Sequence, residues 1–517
     1  MRFSFLALVA ACTITSACSQ PATPDVPSTD ASDSNDIGLD AVTDGVSDDT
    51  TDATVADVLR PPPITRTQNE AQLTDRRRSC EFGAGAWPAE TLGTEMPVDQ
   101  DIPINHVIVI MQENRSFDHY LGRLVAQGYY QPGDFTVSPD GGVGSGYSHH
   151  DQVDGPPAGW SNPDSDGTPV YPHLDDQQCY GVNHGWDVMH DQWNHGAMDH
   201  FVTNNNPGGT RAMFYEDDTV IPFYYGLATT FAIGDHYHAS VLSSTWPNRY
   251  YLMAATSFGI GDNSLCTLDT SVHPVNHIFN ELQRAGRSWM DYTDGPHQVL
   301  FFRYFGLRSG TFNHYGSVRC DLMRDIRNGT LPDVSFVMGD EVGGTTDEGP
   351  SALAGIGGQW VEGIVRALFE SPSWYDTALF ITYDENGGLA DHVPPPPACE
   401  PDDLLPHDGD GHPLEGRFDM TGCRVPFIVV SPFARQHFVS HLTYDHTSIV
   451  RFIEARFGLP AMTRRDANAT PPMEMFDFAN PPFMTPPSIS AHTVVPPDVL
   501  TRCNQHYGSL ECSTDGG

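Results

Sequence analysis

Three apolar, β-branched runs stand out along the chain, at 107–111, 377–383 and 425–430, each long enough for a buried strand and each bounded by polar or turn-forming residues. Helical patterns lie between them. In 359–369, Trp360, Val361, Ile364, Val365 and Leu368 recur at three- and four-residue steps, and 448–457 carries a similar stripe. Stripes of this kind pack on a sheet, so the alternation predicts an α/β fold around an open, largely parallel sheet. The intervals 130–180 and 386–422 are rich in Gly, Pro, Asp and His. Both are too long for simple connections and are read as loops covering an active site. No internal repeat is visible.

The polar residues at the ends of these runs carry the chemistry. The first run, within His106–His119, stops at Glu113 and Asn114; the second, within Thr377–Gly388, stops at Asp384 and Glu385. Hard oxygen ligands at the carboxyl ends of two strands suggest a metal-assisted site. Consecutive strand residues point to opposite faces, so Asp384 and Glu385 can share a cation only if the strand ends there, as Asn386-Gly387-Gly388 predicts. A third segment, Ser243-Ser-Thr-Trp-Pro-Asn-Arg249, puts hydroxyls before a proline and a helix-like run, which places Thr245 at a helix N-terminus. Free N–H groups and the positive dipole end there suit a phosphoryl group, and a nearby cation would activate the threonine hydroxyl. Taken singly, each feature has a plainer reading: Asn114 as a turn residue, Thr245 as a helix cap.

These segments, with Asn194–Phe201 (NHGAMDHF), Arg424–Pro432 (RVPFIVVSP) and Asp445–Glu454 (DHTSIVRFIE), resemble the bacterial phosphoesterase family of phosphatidylcholine-type phospholipases C and related acid phosphatases, over residues 104 to 460. The resemblance implies an alkaline-phosphatase-like three-layer sandwich. It implies a divalent metal held by Glu113, Asn114, Thr245, Asp384 and Glu385, with Thr245 as nucleophile and Ser244 as fallback. His184, His392 and His446 match motif histidines of the family, and of these His184 and His392 rank first as catalytic residues, to contact phosphate or protonate the leaving group, with bonding to a loop carbonyl as the plainer reading. One departure is notable: Gly349, in Asp347-Glu-Gly-Pro350, stands where relatives commonly carry a histidine. Arg115 and Arg249 offer bidentate phosphate contacts but sit beside acidic residues, where structural ion pairs are commoner.

Composition adds compartment and partners. Residues 1–18 read as a lipoprotein-type signal ending at a lipidatable Cys18, with an unlipidated secretory signal as the alternative. Residues 19–62, rich in Asp, Ser, Thr and Pro, read as a solvated tether; 100–460 form the catalytic domain, and 461–517 a proline-rich extension. Of the 10 cysteines, eight remain beyond residue 18, an even number that suits an oxidising compartment, with Cys503–Cys512 as a candidate local pair. The net charge of −41 argues against nucleic acid as a partner, and the absence of lysine removes ammonium groups as phosphate ligands. The expectation is therefore an exported, metal-dependent hydrolase of phospholipid diesters, in peripheral contact with membranes. An acid phosphatase acting on soluble monoesters and a catalytically silent binding protein are the alternatives.

Overall fold

The computed structural model describes residues 59, 61–132, 151–174, 181–205, 207–264, 276–295, 314–340, 346–349 and 352–503. The expected signal segment, most of the expected tether, and Cys179, Cys266 and Cys512 lie outside them. An eight-stranded sheet forms the centre: β1 (His106–Gln112), β2 (Ala232–Gly234), β3 (Trp289–Thr293), β4 (Tyr315–Gly316), β5 (Val334–Met338), β6 (Thr377–Tyr383), β7 (Phe427–Val430) and β8 (Phe438–Ser440). Their spatial order is 4-3-5-1-6-7-2-8. All neighbours are parallel except β7, which runs antiparallel to both β6 and β2.

The two strands with the most continuous apolar runs occupy the middle. Residues 107–112 of β1 and all of β6 are buried, as strands covered on both faces must be. They pair in parallel from His106–Thr377 to Gln112–Tyr383. Both strands therefore end at the same level of the sheet.

The principal helices are α1 (Trp186–Trp193), α2 (Pro222–Thr230), α3 (Thr245–Ala254), α4 (Ile278–Arg284), α5 (Met323–Asn328), α6 (Ala354–Phe369) and α7 (His446–Phe457). Phe336, Val109 and Phe380 share one register row and hence one face. On that face Phe336 meets Phe279 of α4, and Phe380 meets Phe452 of α7. Tyr383, three positions on, points to the other face and shares a buried partner with Tyr224 of α2. Helices thus cover both faces, giving the three-layer α/β sandwich. The stripe foreseen from 359 begins at Ala354, because the glycines of its first turns carry no apolar signal. Helix α7 starts at an Asp445–Ser448 capping box and stops at Gly458 in the left-handed region.

Segments outside the motif-bearing region also join the core. Leu92, Ile102, Met473, Met475, Phe476 and Phe483 belong to the main apolar cluster. Cys80 is bonded to Cys399 across 319 residues of sequence, fastening the N-terminal arm to the loop after β6. Cys320 and Cys503 are also disulfide-bonded. Cys423 is a buried free thiol.

Candidate active site

Because β1 and β6 end together, Glu113-Asn114 and Asp384-Glu385 leave the sheet side by side. Asn114 adopts φ +50°, a left-handed conformation that Asn tolerates better than most residues. This turn directs the Asn114 N–H to Asp384 Oδ1 at 3.3 Å. Asp384 Oδ1 also accepts the Glu385 N–H at 2.8 Å, and Glu385 Oε2 accepts the Gly387 N–H at 2.6 Å. The strand has ended where the glycines predicted, and the two carboxylates are fixed by backbone donors. Gly388, at φ +72°, lies so close to the Asn183 carbonyl that a Cβ there would come within 2.2 Å of its oxygen. That close approach brings the 182–184 segment against the strand end, and His184 Nε2 lies 3.5 Å from Glu385 Oε1.

Helix α3 completes the group from the side. It begins at Thr245, and Asn248 braces the preceding turn through the Val241 N–H and the Ser243 and Ser244 carbonyls. Arg249, one turn beyond Thr245 on the same helix face, donates to Asp384 Oδ2 at 3.2 Å and to Glu113 Oε1 at 3.3 Å. Thr245 therefore projects from the helix face whose next turn is bonded to both strand ends. The helix start is less open than the sequence suggests: the Trp246 N–H donates to Asn263 Oδ1, and Pro247 has none. It contributes its dipole rather than a row of free N–H groups.

The electrostatics of this group are unbalanced. Asp384 and Glu385 are fully buried, and burial raises the pKa of each above the ordinary carboxylate range. Asp347 is raised for the same reason. Burial works against a proton on His184, but the fields of Glu385 and Asp384 and a bond to the Val182 carbonyl leave its pKa raised. Among the described residues, the Asn114 side-chain nitrogen and Glu385 Oε1 are buried without a hydrogen-bond partner. Clustered carboxylates facing one arginine, beside an unbonded amide, form an oxygen donor set that fits a divalent cation.

His392 lies in a different group. Its Nδ1 is 2.7 Å from Asp118 and its Nε2 is 3.2 Å from Asp154. Arg424, fully buried, donates to Asp118 Oδ1 and Asp391 Oδ1, each at 2.9 Å, and to the carbonyls of Asp154 and Asp235. Ligand-type atoms of Asp118, Asp391 and His392 lie within 4.8 Å of one another, but Arg424 already neutralises them. Carboxylate contacts overcome the effect of burial and raise the His392 pKa to about 10. His446 is fully buried with Nε2 3.0 Å from the Tyr383 carbonyl, and burial lowers its pKa to about 4.

The structure thus brings Glu113, Asn114, Asp384, Glu385 and His184 together beside the helix that begins with Thr245, and holds both ring nitrogens of His392 in the Arg424 network. Arg249 joins the strand ends as the ion-pair reading anticipated. Asp347 escaped the sequence reading; its signal was an acid two residues before the departing Gly349.

The chain belongs to the phosphoesterase family, whose model matches residues 104–460, and is a phosphoric ester hydrolase. It is 32% identical to the non-hemolytic phospholipase C of Burkholderia pseudomallei over 82% of this chain and 68% of that one. It is 33% identical to phospholipase C B of Mycobacterium tuberculosis over 79% and 82%, and 28% identical to the non-specific phospholipase C1 of Arabidopsis thaliana over 71% and 69%. Among solved structures, human ectonucleotide pyrophosphatase/phosphodiesterase 5 matches with a TM-score of 0.31 and 11% identity, over 47% of this chain and 90% of that one.

Proposed function

We propose that the protein is an exported phospholipase C-type enzyme that hydrolyses the glycerol-side phosphodiester bond of phospholipids. The observation that carries this reading is the juxtaposition of Glu113-Asn114 and Asp384-Glu385 at adjacent strand ends, with Arg249 tying both to the helix that begins at Thr245. The names of the relatives, phospholipases C, support the diester substrate.

Glu113, Asn114, Asp384 and Glu385, with the Thr245 hydroxyl, would hold a divalent metal. When bound, such an ion polarises the phosphoryl oxygens and lowers the pKa of the threonine hydroxyl. In the first step Thr245 Oγ1, its proton released to solvent, forms a bond to phosphorus as the bond to the diacylglycerol oxygen breaks. His184, close to Glu385 and with a raised pKa, supplies the proton for that leaving alkoxide and regains its proton from solvent after donating it. Water then attacks the phosphothreonine, releasing the phosphorylated headgroup and restoring the hydroxyl. His392, engaged on both sides by carboxylates, positions the segment after β6. The acidic surface fits zwitterionic better than anionic lipid, and nucleic acid poorly. Among the described residues no helix is long and apolar enough to cross a membrane, so lipid contact would be peripheral or through an anchor at Cys18.

The test is release of phosphocholine from phosphatidylcholine by the full chain, beside p-nitrophenyl phosphate. Preference for the diester and its loss in Thr245→Ala are expected; preference for the monoester would assign the enzyme to the acid phosphatases instead.

A further inference from the structure

Asp347 stands where nothing in the sequence reading placed a functional group. The 346–349 segment runs beside the end of β1, where Gln112 Nε2 donates to the Thr346 carbonyl at 3.1 Å. It is held firmly. The Glu348 carboxyl accepts hydroxyls from Tyr120 at 2.9 Å, from Tyr224 at 2.7 Å and from Tyr383, while Arg115 Nε donates to the Glu348 carbonyl at 2.7 Å. Asp347 Oδ1 is used internally, accepting the N–H groups of Glu348 at 2.6 Å and Gly349 at 3.1 Å.

The other oxygen points into the candidate active site. A Cβ placed on Gly349 would lie 3.0 Å from Asp347 Oδ2, 3.4 Å from Asn114 Oδ1 and 3.5 Å from Glu113 Cβ. Asp347 Oδ2 and the Asn114 amide therefore approach one point, and the absence of a side chain at 349 leaves that point open. Asn114 is buried, its side-chain nitrogen has no hydrogen-bond partner among the described residues, and the charge of Asp347 acts on both Asp384 and Arg249. A fourth carboxylate held beside Glu113, Asp384 and Glu385 adds to the repulsion among their like charges.

We propose that Asp347 is a further ligand of the metal centre, its Oδ2 entering the space that a side chain at position 349 would occupy. The inference rests on the metal-centre reading given above. With it the donor set comprises Glu113, Asn114, Thr245, Asp347, Asp384 and Glu385, all through oxygen. Six oxygens, four of them from carboxylates, select a hard divalent cation such as magnesium, manganese or calcium over zinc.

The test is titration of the chelator-stripped full chain with Mn2+, followed by calorimetry and by the electron paramagnetic resonance signal of free Mn2+. Asp347→Asn keeps the Oδ1 acceptor and removes the charge. It should weaken Mn2+ binding roughly tenfold or more, while its metal-free form melts no lower than metal-free wild type. Gly349→Ala keeps the charge but puts a methyl group into the open point, and should weaken Mn2+ binding as well. Asp384→Asn serves as the control for the centre itself. If Asp384→Asn loses Mn2+ while both other variants bind within twofold of wild type, Asp347 is a loop brace and the proposal fails alone. If Asp384→Asn also binds as wild type, the metal-centre reading fails with it. Should Asp347→Asn not fold, Gly349→Ala decides: wild-type Mn2+ affinity overturns the proposal and weakened binding sustains it.

Discussion

Two buried clusters of acidic residues lie near the carboxyl ends of the central strands, and they differ in how their charge is balanced. Around Arg424, the carboxylates of Asp118, Asp154 and Asp391 meet a guanidinium and the ring of His392, and nearly every contact is a well-formed hydrogen bond. Around Glu113, Asp384, Glu385 and Asp347, the guanidinium of Arg249 and the ring of His184 face four carboxylates, and among the described residues an amide nitrogen and a carboxylate oxygen lack hydrogen bonds. Spacing alone would nominate the first as a metal site, since its donor atoms lie within 4.8 Å of one another. Charge balance reverses that choice: a cluster that satisfies itself holds a fold together, and one that does not is built to receive something.

The sharpest way to separate the clusters is to remove one side chain from each. Thr245→Ala in the unbalanced cluster should reduce turnover on the order of 10^3-fold or more, with the thermal midpoint nearly unchanged. Substantial residual turnover in a steady-state assay would remove Thr245 as the nucleophile. Arg424→Met in the balanced cluster should act the other way. It leaves three buried carboxylates without their guanidinium, and urea unfolding should report a loss of about 3–5 kcal/mol. A variant as stable as wild type would show that the network is dispensable.

Metal removal is the next largest contrast. A ligand at 100 times its Kd stabilises the folded state by about 2.7 kcal/mol. Chelation should therefore lower the wild-type melting temperature, and Asp384→Asn should be insensitive to chelator. His392→Gln should keep the full metal-dependent shift, because Arg424 already offsets the carboxylates of its cluster; a lost shift in that variant would move the metal to the Arg424 network.

The same contrast explains what the sequence revealed. Strands β1, β6 and β7, the helix start at Thr245 and the break after Glu385 were legible because each rests on local grammar: apolar runs, a proline in the first turn, paired glycines. That Glu113 and Asp384 are neighbours was also within reach, since two such runs in a parallel sheet end at one pole. The partners of His392 were not, because Asp118, Asp154 and Arg424 come from segments far apart in sequence that only the fold assembles. A histidine beside an aspartate in a motif looks the same whether it faces substrate or a buried arginine. Asp347 was hidden for a related reason. Its meaning depends on what Gly349 leaves open, and a missing side chain acquires a shape only once its neighbours are in place.

The smallest effect is the pH dependence of the balanced cluster. The His392 pKa rises from 6.5 to about 10 on folding, because Asp118 and Asp154 together outweigh the effect of burial. A raised folded-state value means that its contribution is complete below pH 6.5 and disappears as the pH rises through about 10. Asp154, whose pKa is lowered from 3.8 chiefly by His236 and His392 against the effect of burial, contributes above that value and loses its contribution as the medium becomes more acidic. The network is therefore strongest between roughly pH 4 and 6.5. The stability difference between wild type and His392→Gln should shrink by roughly 2 kcal/mol between pH 6.5 and 8. Urea unfolding of both proteins across that range measures it, and a constant difference would mean that His392 carries no added charge in the folded protein.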